Sequence, residues 1–363
     1  MQKILVAICL CVLLPSKSYE QQKNNFAVIA YYAGNNTSQI DSFAIEKLTH
    51  IIFSFCHLKG NRLNVDTALD SLMIQKMVSL KKRSPDLKVI LSLGGWGGCA
   101  TCSDVFSNKK GRKEFASSVK ELSKYFGSDG LDLDWEYPTI KGYPGHKYQP
   151  EDKKNFTALV KQLRKTLGKK YEVSFAAGGF NQYIENAIDW KQVMKYVNYV
   201  NMMTYDLVNG YARSTGHHTA LYSTSQQLES ADNAIQKLID RGVSASKIVI
   251  GAAFYGRMWD SVPDINSGLY QQGKFLKSIS YKKFSSQLSA DSGFVYHWDE
   301  KAMAPYLFNT ITHQFVTYDD KRSIQEKTKY AMNKKLGGIM FWQLTGDVYS
   351  GGLLDAIDET RNK

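Results

Sequence analysis

The sequence is poor in cysteine and has no long apolar run beyond its first residues. Five cysteines in 363 residues are too few and too scattered for the disulfide framework that staples small exported domains. No Cys/His set has the spacing of a zinc site, so no metal and no cofactor are expected. No internal repeat or low-complexity segment divides the chain. Gly94-Gly95 and Gly97-Gly98 lack the following lysine and the spacing of a nucleotide-binding loop. They read instead as points of close backbone approach. Basic residues outnumber acidic ones 46 to 34, for a net charge of +12. The excess lies in scattered pairs such as Lys81-Lys82, Lys109-Lys110 and Lys169-Lys170, without interleaved aromatics. That pattern argues against a nucleic-acid groove and for a solvated face, with long-range attraction to an anionic wall as its one extra use.

Residues 4–14 form an apolar run of eleven, well short of the roughly 18 needed to span a bilayer. Lys3 precedes it, Pro15 breaks it, and Ser16-Lys17-Ser18 supplies small residues before a cut. Residues 1–18 are therefore expected to be a signal peptide, and residues 19–363 an exported catalytic unit with no membrane anchor. Cleavage would remove two lysines and leave 44 basic against 34 acidic residues, a charge of +10. It would also remove Cys9 and Cys11. Of the rest, Cys56 reads as a buried core thiol. Cys99 and Cys102 could bond if a turn brought their Cα atoms within about 7 Å.

Aromatic residues are plentiful, at 12% of the chain with 22 Tyr and 6 Trp. Their flat faces suit the apolar faces of sugar rings, although core packing could absorb them. Eight strand-like runs stand at 26–32, 50–55, 88–93, 130–135, 172–177, 199–205, 247–254 and 337–342. Most are continuously apolar, as strands covered on both faces should be. Helical patterns at 68–82, 109–125, 151–167, 225–241, 323–335 and 353–359 lie between and after them. The alternation predicts an α/β fold, a closed (β/α)8 TIM barrel. About 70 residues separate the seventh strand from its helix, too many for a structureless loop. Residues 259–313 are read as a small α+β insertion walling the barrel's C-terminal face. No second binding module is expected, and a monomer is the expected state.

The chemistry concentrates in Asp129-Gly130-Leu131-Asp132-Leu133-Asp134-Trp135-Glu136-Tyr137-Pro138. With side chains alternating along a strand, Asp132, Asp134 and Glu136 share one face and Leu131, Leu133 and Trp135 the other. The apolar set should face the helices and the acidic set the barrel interior. Pro138 ends the strand, so Glu136 falls at its C-terminal tip, where barrel enzymes place their chemistry. Crowded carboxylates raise at least one pKa, which keeps an acid catalyst protonated near neutrality. Asp134 would hydrogen-bond to Glu136 and orient substrate, Asp132 would hold a shared proton, and Asp129 would fix the turn or barrel bottom. A divalent metal held by the same carboxylates is the rival reading.

At these residues the chain resembles glycoside hydrolase family 18, the chitinase family, whose signature Asp-x-x-Asp-x-Asp-x-Glu is complete at Asp129, Asp132, Asp134 and Glu136. Ser92-Leu93-Gly94-Gly95-Trp96, Met203-Thr204-Tyr205-Asp206, Phe254-Tyr255-Gly256-Arg257 and Trp342 match further family motifs. The resemblance implies hydrolysis of chitin or chitooligosaccharides by Glu136 as acid, with Asp134 orienting the substrate acetamido group and Tyr205 donating to its oxygen. It implies Trp342 as the floor under a distorted sugar, with Tyr31 and Phe55 beside it. Trp96, Tyr137, Met203, Asp206, Tyr255 and Arg257 complete the binding set. Two departures stand out. Gly97-Gly98 follows Trp96 where relatives often carry a larger residue, which would open the leaving-group side. Gln343 follows Trp342 where many have Glu. A lectin that has lost cutting, and enzymes for peptidoglycan or N-glycan cores, are the competing functions. Asn35, Asn36 and Asn155 fit the glycosylation pattern, and His217-His218 reads as a surface pair.

Overall fold

The computed structural model describes residues 26–363; the expected signal peptide at 1–18 lies outside the described residues. Among those described, no helix is long and apolar enough to cross a membrane. The strands run β1 (Ala27–Tyr32), β2 (His50–Lys59), β3 (Arg62–Asn64), β4 (Lys88–Gly94), β5 (Gly130–Asp134), β6 (Glu172–Gly178), β7 (Tyr199–Met203) and β8 (Ile248–Ala253). Then come β9 (Tyr255–Asp260), β10 (Lys274–Ser280), β11 (Val295–Asp299), β12 (Ala304–Asn309), β13 (Gln314–Thr317) and β14 (Gly338–Trp342).

Parallel pairing runs β1-β14-β8-β7-β6-β5-β4-β2, and β1 also pairs with β2, which closes an eight-stranded barrel. β3 adds a short hairpin to β2. The closure follows from two apolar surfaces on each strand. On β1, Val28, Ala30 and Tyr32 join the shell between barrel and helices. Ala27, Ile29 and Tyr31 join Ile52, Ile90, Val249 and Met340 inside. Leu131, Leu133 and Trp135 pack in the outer shell, so the acidic residues between them have only the interior to face.

Local signals start and stop the helices. Asn108 caps Lys109–Phe126, which ends at Gly127 in the left-handed region (φ 74°). Asp320 and Ser323 form a capping box for Lys321–Asn333. The helix expected from 225 begins later, as Ala231–Asp240. Ser230 caps it by accepting from Asn233 N, while Gln227 is held outside by bonds to the His217 backbone.

Between β8 and Lys321–Asn333 lies an antiparallel sheet ordered β10-β9-β13-β12-β11. It is wider at both ends than the expected 259–313. Only Phe254 separates β8 from β9, and β13 pairs with both β9 and β12. The sheet buries apolar residues on both faces: Met258, Ile279, Leu307 and Val316 on one, Trp259, Phe308 and Phe315 on the other. Cys56 is free and buried inside β2 rather than at its end. Cys99 and Cys102 are bonded, their Cα atoms 5.2 Å apart.

Candidate active site

Asp132 lies at the centre of the barrel with no exposure, bound from four strands. Tyr31 Oη on β1 (3.1 Å) and Ser92 Oγ on β4 (2.9 Å) donate to one carboxylate oxygen. Ser174 Oγ on β6 (2.6 Å) and Asn201 Nδ2 on β7 (3.1 Å) donate to the other. Burial pushes its carboxyl above the ordinary aspartate range, and the four donors pull it back. Asp132 is thus anchored at the foot of the acidic file by donors from four strands, with its carboxyl still above the ordinary range. Tyr31 braces it: buried, with its hydroxyl turned inward, Tyr31 is a wall of the barrel more than of an open subsite. Tyr32 points the other way, into the outer shell.

Asp134 stands one step higher, at the end of β5. Its Oδ1 is buried and has no hydrogen-bond partner among the described residues. An unpaired buried carboxylate oxygen is costly unless a substrate group or a proton meets it. Burial, then Glu136, then Asp132 push its carboxyl well above the ordinary range. Glu136 is only 9% exposed. Burial lifts its carboxyl to about 7, Asp206 adds to the rise and the Tyr137 hydroxyl opposes it. The expected hydrogen bond between Asp134 and Glu136 is not formed among the described residues; the two act on each other through charge, as a pair that resists carrying two negative charges. Tyr205 also reaches this space. Its hydroxyl has a weak contact with Met340 Sδ at 3.8 Å, and burial, then the surrounding carboxylates, hold its phenol protonated.

Glycine lets the backbone close around the pair. A Cβ on Gly94 (φ 109°) would come within 2.2 Å of the Asp134 carbonyl oxygen. One on Gly95 (φ 79°) would enter the Phe55 ring at 2.3 Å. Gly95 N instead donates to Asp134 O at 2.9 Å. Phe55 stacks on Trp342 with centroids 5.6 Å apart and planes 13° apart. Tyr31 approaches the same indole at 5.9 Å, and Met203 and Trp342 both pack against the interior cluster. The result is an aromatic floor at the mouth. Trp96, 48% exposed, stands 6.4 Å from Tyr137.

On β9, Arg257 grips Asp206 through Nε and Nη2, and Tyr255 Oη donates to the same carboxylate at 2.7 Å. His218 Nδ1 comes within 3.5 Å. Burial alone would raise the Asp206 carboxyl, but His218 and Arg257 hold it well below the ordinary range. His217 and His218 are not a surface pair. Both are fully buried, His217 on Asp299 at 3.1 Å and His218 behind Asp206, because the inserted sheet covers their loop. Asp129 lies at the opposite, N-terminal end of β5, where it accepts from Val89 N (2.7 Å) and pairs with Lys81 (2.6 Å). Among the described residues no cluster of His, Cys, Asp and Glu is arranged to hold a metal ion.

The sequence reading missed Ser174 and Asn201. Each is a polar residue at an inward position of an otherwise apolar strand, on β6 and β7. Period-two alternation applied to every strand, not only to β5, would have exposed them.

The family profile described as "Glycosyl hydrolases family 18" matches residues 27–347. "Chitinase A1" of Niallia circulans is 34% identical over 76% of this chain, and the match spans only 42% of that relative. "Probable chitinase 2" of Drosophila melanogaster is 30% identical over 86% of this chain and 69% of its own length. Among solved structures, a glycoside hydrolase family 18 N-acetylglucosaminidase from Paenibacillus barengoltzii superimposes with a TM-score of 0.84. It is 34% identical, over 93% of this chain and 100% of that one. The Ostrinia furnacalis Group IV chitinase, in complex with allosamidin, gives a TM-score of 0.84 at 25% identity, over 92% and 98%.

Proposed function

The chain belongs to glycosyl hydrolases family 18, and from that premise we propose that it is an exported chitinase cutting β-1,4-linked N-acetylglucosamine chains with retention. The observation that carries the reading is the Asp134–Glu136 pair: a buried carboxyl lifted to about 7 beside an unpartnered carboxylate oxygen. Near neutral pH Glu136 keeps the proton an acid must deliver. Asp134 presents an acceptor to a group the substrate must bring, and an acetamido N–H fits it.

In this reading the sugar before the cut lies on Trp342. Glu136 transfers its proton to the glycosidic oxygen as the bond to the anomeric carbon breaks. The substrate's acetamido oxygen attacks that carbon and forms an oxazolinium ion. Asp134 holds the acetamido N–H and offsets the nitrogen's charge, while the Tyr205 hydroxyl donates to the acetamido oxygen. Water then adds to the anomeric carbon and gives its proton to Glu136, which restores the enzyme. This is the substrate-assisted exception to two-carboxylate hydrolysis, and it uses Asp132 only as the anchored base of the file. The distortion it requires draws on binding at neighbouring subsites.

The test is product release from chitohexaose by the wild type and by Glu136→Gln at matched folding. Short oligomers, mainly dimer, are expected from the wild type, with a loss of about a hundredfold or more in the variant. Monomer release would align the chain with the Paenibacillus barengoltzii N-acetylglucosaminidase instead. Binding without cutting by both proteins would make it a lectin. Neither binding nor cutting would move the substrate to peptidoglycan or N-glycan cores.

A further inference from the structure

Small residues at 97 and 98 lead one to expect an open leaving-group side, yet that space is filled. A Cβ on Gly97 would meet the Tyr143 ring at 3.2 Å. Tyr143 belongs to the loop between β5 and the helix Asp152–Leu167, and its ring stands 72° to the plane of Trp96 with centroids 5.6 Å apart. His146 backs it at 4.8 Å. Both faces of this corner reach solvent, with Trp96 48% and Tyr143 38% exposed. Its position is tied to the acid. Gly142 lies so close to Glu136 that a Cβ there would be 2.1 Å from the Glu136 carbonyl oxygen. Tyr143 N points at that same oxygen, 3.4 Å away. The loop therefore folds back onto the acid's own backbone and sets the ring beside Trp96, close to the acid.

We propose that Tyr143 is a substrate-binding residue that forms, with Trp96, a near-perpendicular aromatic corner holding the sugar on the leaving-group side of the cut. A flat pyranose offers one apolar face to the Trp96 indole and an edge to the Tyr143 ring, whose hydroxyl has no partner among the described residues and can meet a sugar oxygen. Glycine at 97 is what admits the ring. The inference rests on the chitinase reading above.

The experiment compares wild type, Tyr143→Ala and Tyr143→Phe on two substrates. Chitopentaose has a sugar to seat in the corner. Chitobiosyl fluoride has a leaving group too small to reach it. The expected result is a loss of about tenfold in kcat/KM for Tyr143→Ala on chitopentaose, and a change within twofold on the fluoride. Tyr143→Phe should stay within threefold of wild type on both. Thermal melting within a few degrees of wild type should show that the exposed loop still folds. An equal loss on both substrates would mean that the residue acts through the acid's backbone, and no loss on either would make it a bystander; each overturns the proposal. A wild type that cuts neither substrate would instead sink the chitinase reading, and the corner with it.

Discussion

Glu136→Gln should make the protein more stable at alkaline pH while it removes activity. A carboxyl displaced from 4.5 to about 7 by burial binds its proton more tightly folded than unfolded. Between those values the folded state holds more protons, so stability falls as pH rises through the window and the penalty is complete above about 7. At about 1.4 kcal/mol per tenfold change in proton affinity, the full penalty is about 3 kcal/mol. Glutamine has no such proton to lose. It also lifts one of the charges that press on Asp134, which acts in the same direction. Urea unfolding should therefore give Glu136→Gln an advantage of about 3 kcal/mol at pH 8, shrinking below about 1 kcal/mol at pH 5. The comparison at each pH cancels the titration of every distant carboxylate. A variant no more stable than wild type at pH 8, or one whose advantage is the same at both pH values, would refute the idea that burial keeps this acid protonated.

Activity should follow the same proton from the other side: kcat/KM on chitohexaose should fall tenfold per pH step above about 7. Asp206→Asn should move that fall to lower pH, since the Asp206 charge helps raise the Glu136 carboxyl; an unmoved or upward-moved limb would count against the coupling. Gly94→Ala should destabilise by at least about 3 kcal/mol, because the new Cβ collides with the Asp134 carbonyl in an unfavourable φ. Gly60→Ala, at φ 58° with nothing within 4 Å, should cost only about 1–2 kcal/mol, and equal thermal shifts would contradict the assignment of the clash. Lys327 is fully buried on Asp319 (2.7 Å), so Lys327→Met should cost about 3–5 kcal/mol in urea. Adding Asp319→Asn should recover part of the loss, and no recovery would show that the charge left behind is not its source.

The barrel and the acidic file were legible because they follow from alternation alone. Leu131, Leu133 and Trp135 need an apolar shell, so Asp132, Asp134 and Glu136 have one direction left. What stayed hidden depends on contacts distant in sequence. Nothing around Ser174 or Asn201 announces that both converge on an aspartate from a third strand. His217-His218 looks like a polar loop until β11 and β13 cover it. Gly97 signals an absent side chain, but not that Tyr143, 46 residues on, would occupy its place. The edges of the insertion were misjudged for a related reason. β9 continues almost directly from β8, and local propensity does not mark the point where parallel pairing becomes antiparallel.

That short join has a practical consequence. β9 carries Tyr255 and Arg257 to Asp206 on the loop after β7, and β13 receives the same loop through Thr317 Oγ1 and His218 N at 3.0 Å. Asp319, just past β13, clasps Thr219 and the Ala253 backbone. The inserted sheet and the segment 206–219 are therefore one packed unit with two separate addresses in the chain. Anyone trading groove walls between relatives should cut at Thr204 and Thr219 as well as at Phe254 and Asp319. A graft of 255–317 alone would leave Asp206, His217 and His218 to meet a sheet they were not fitted to.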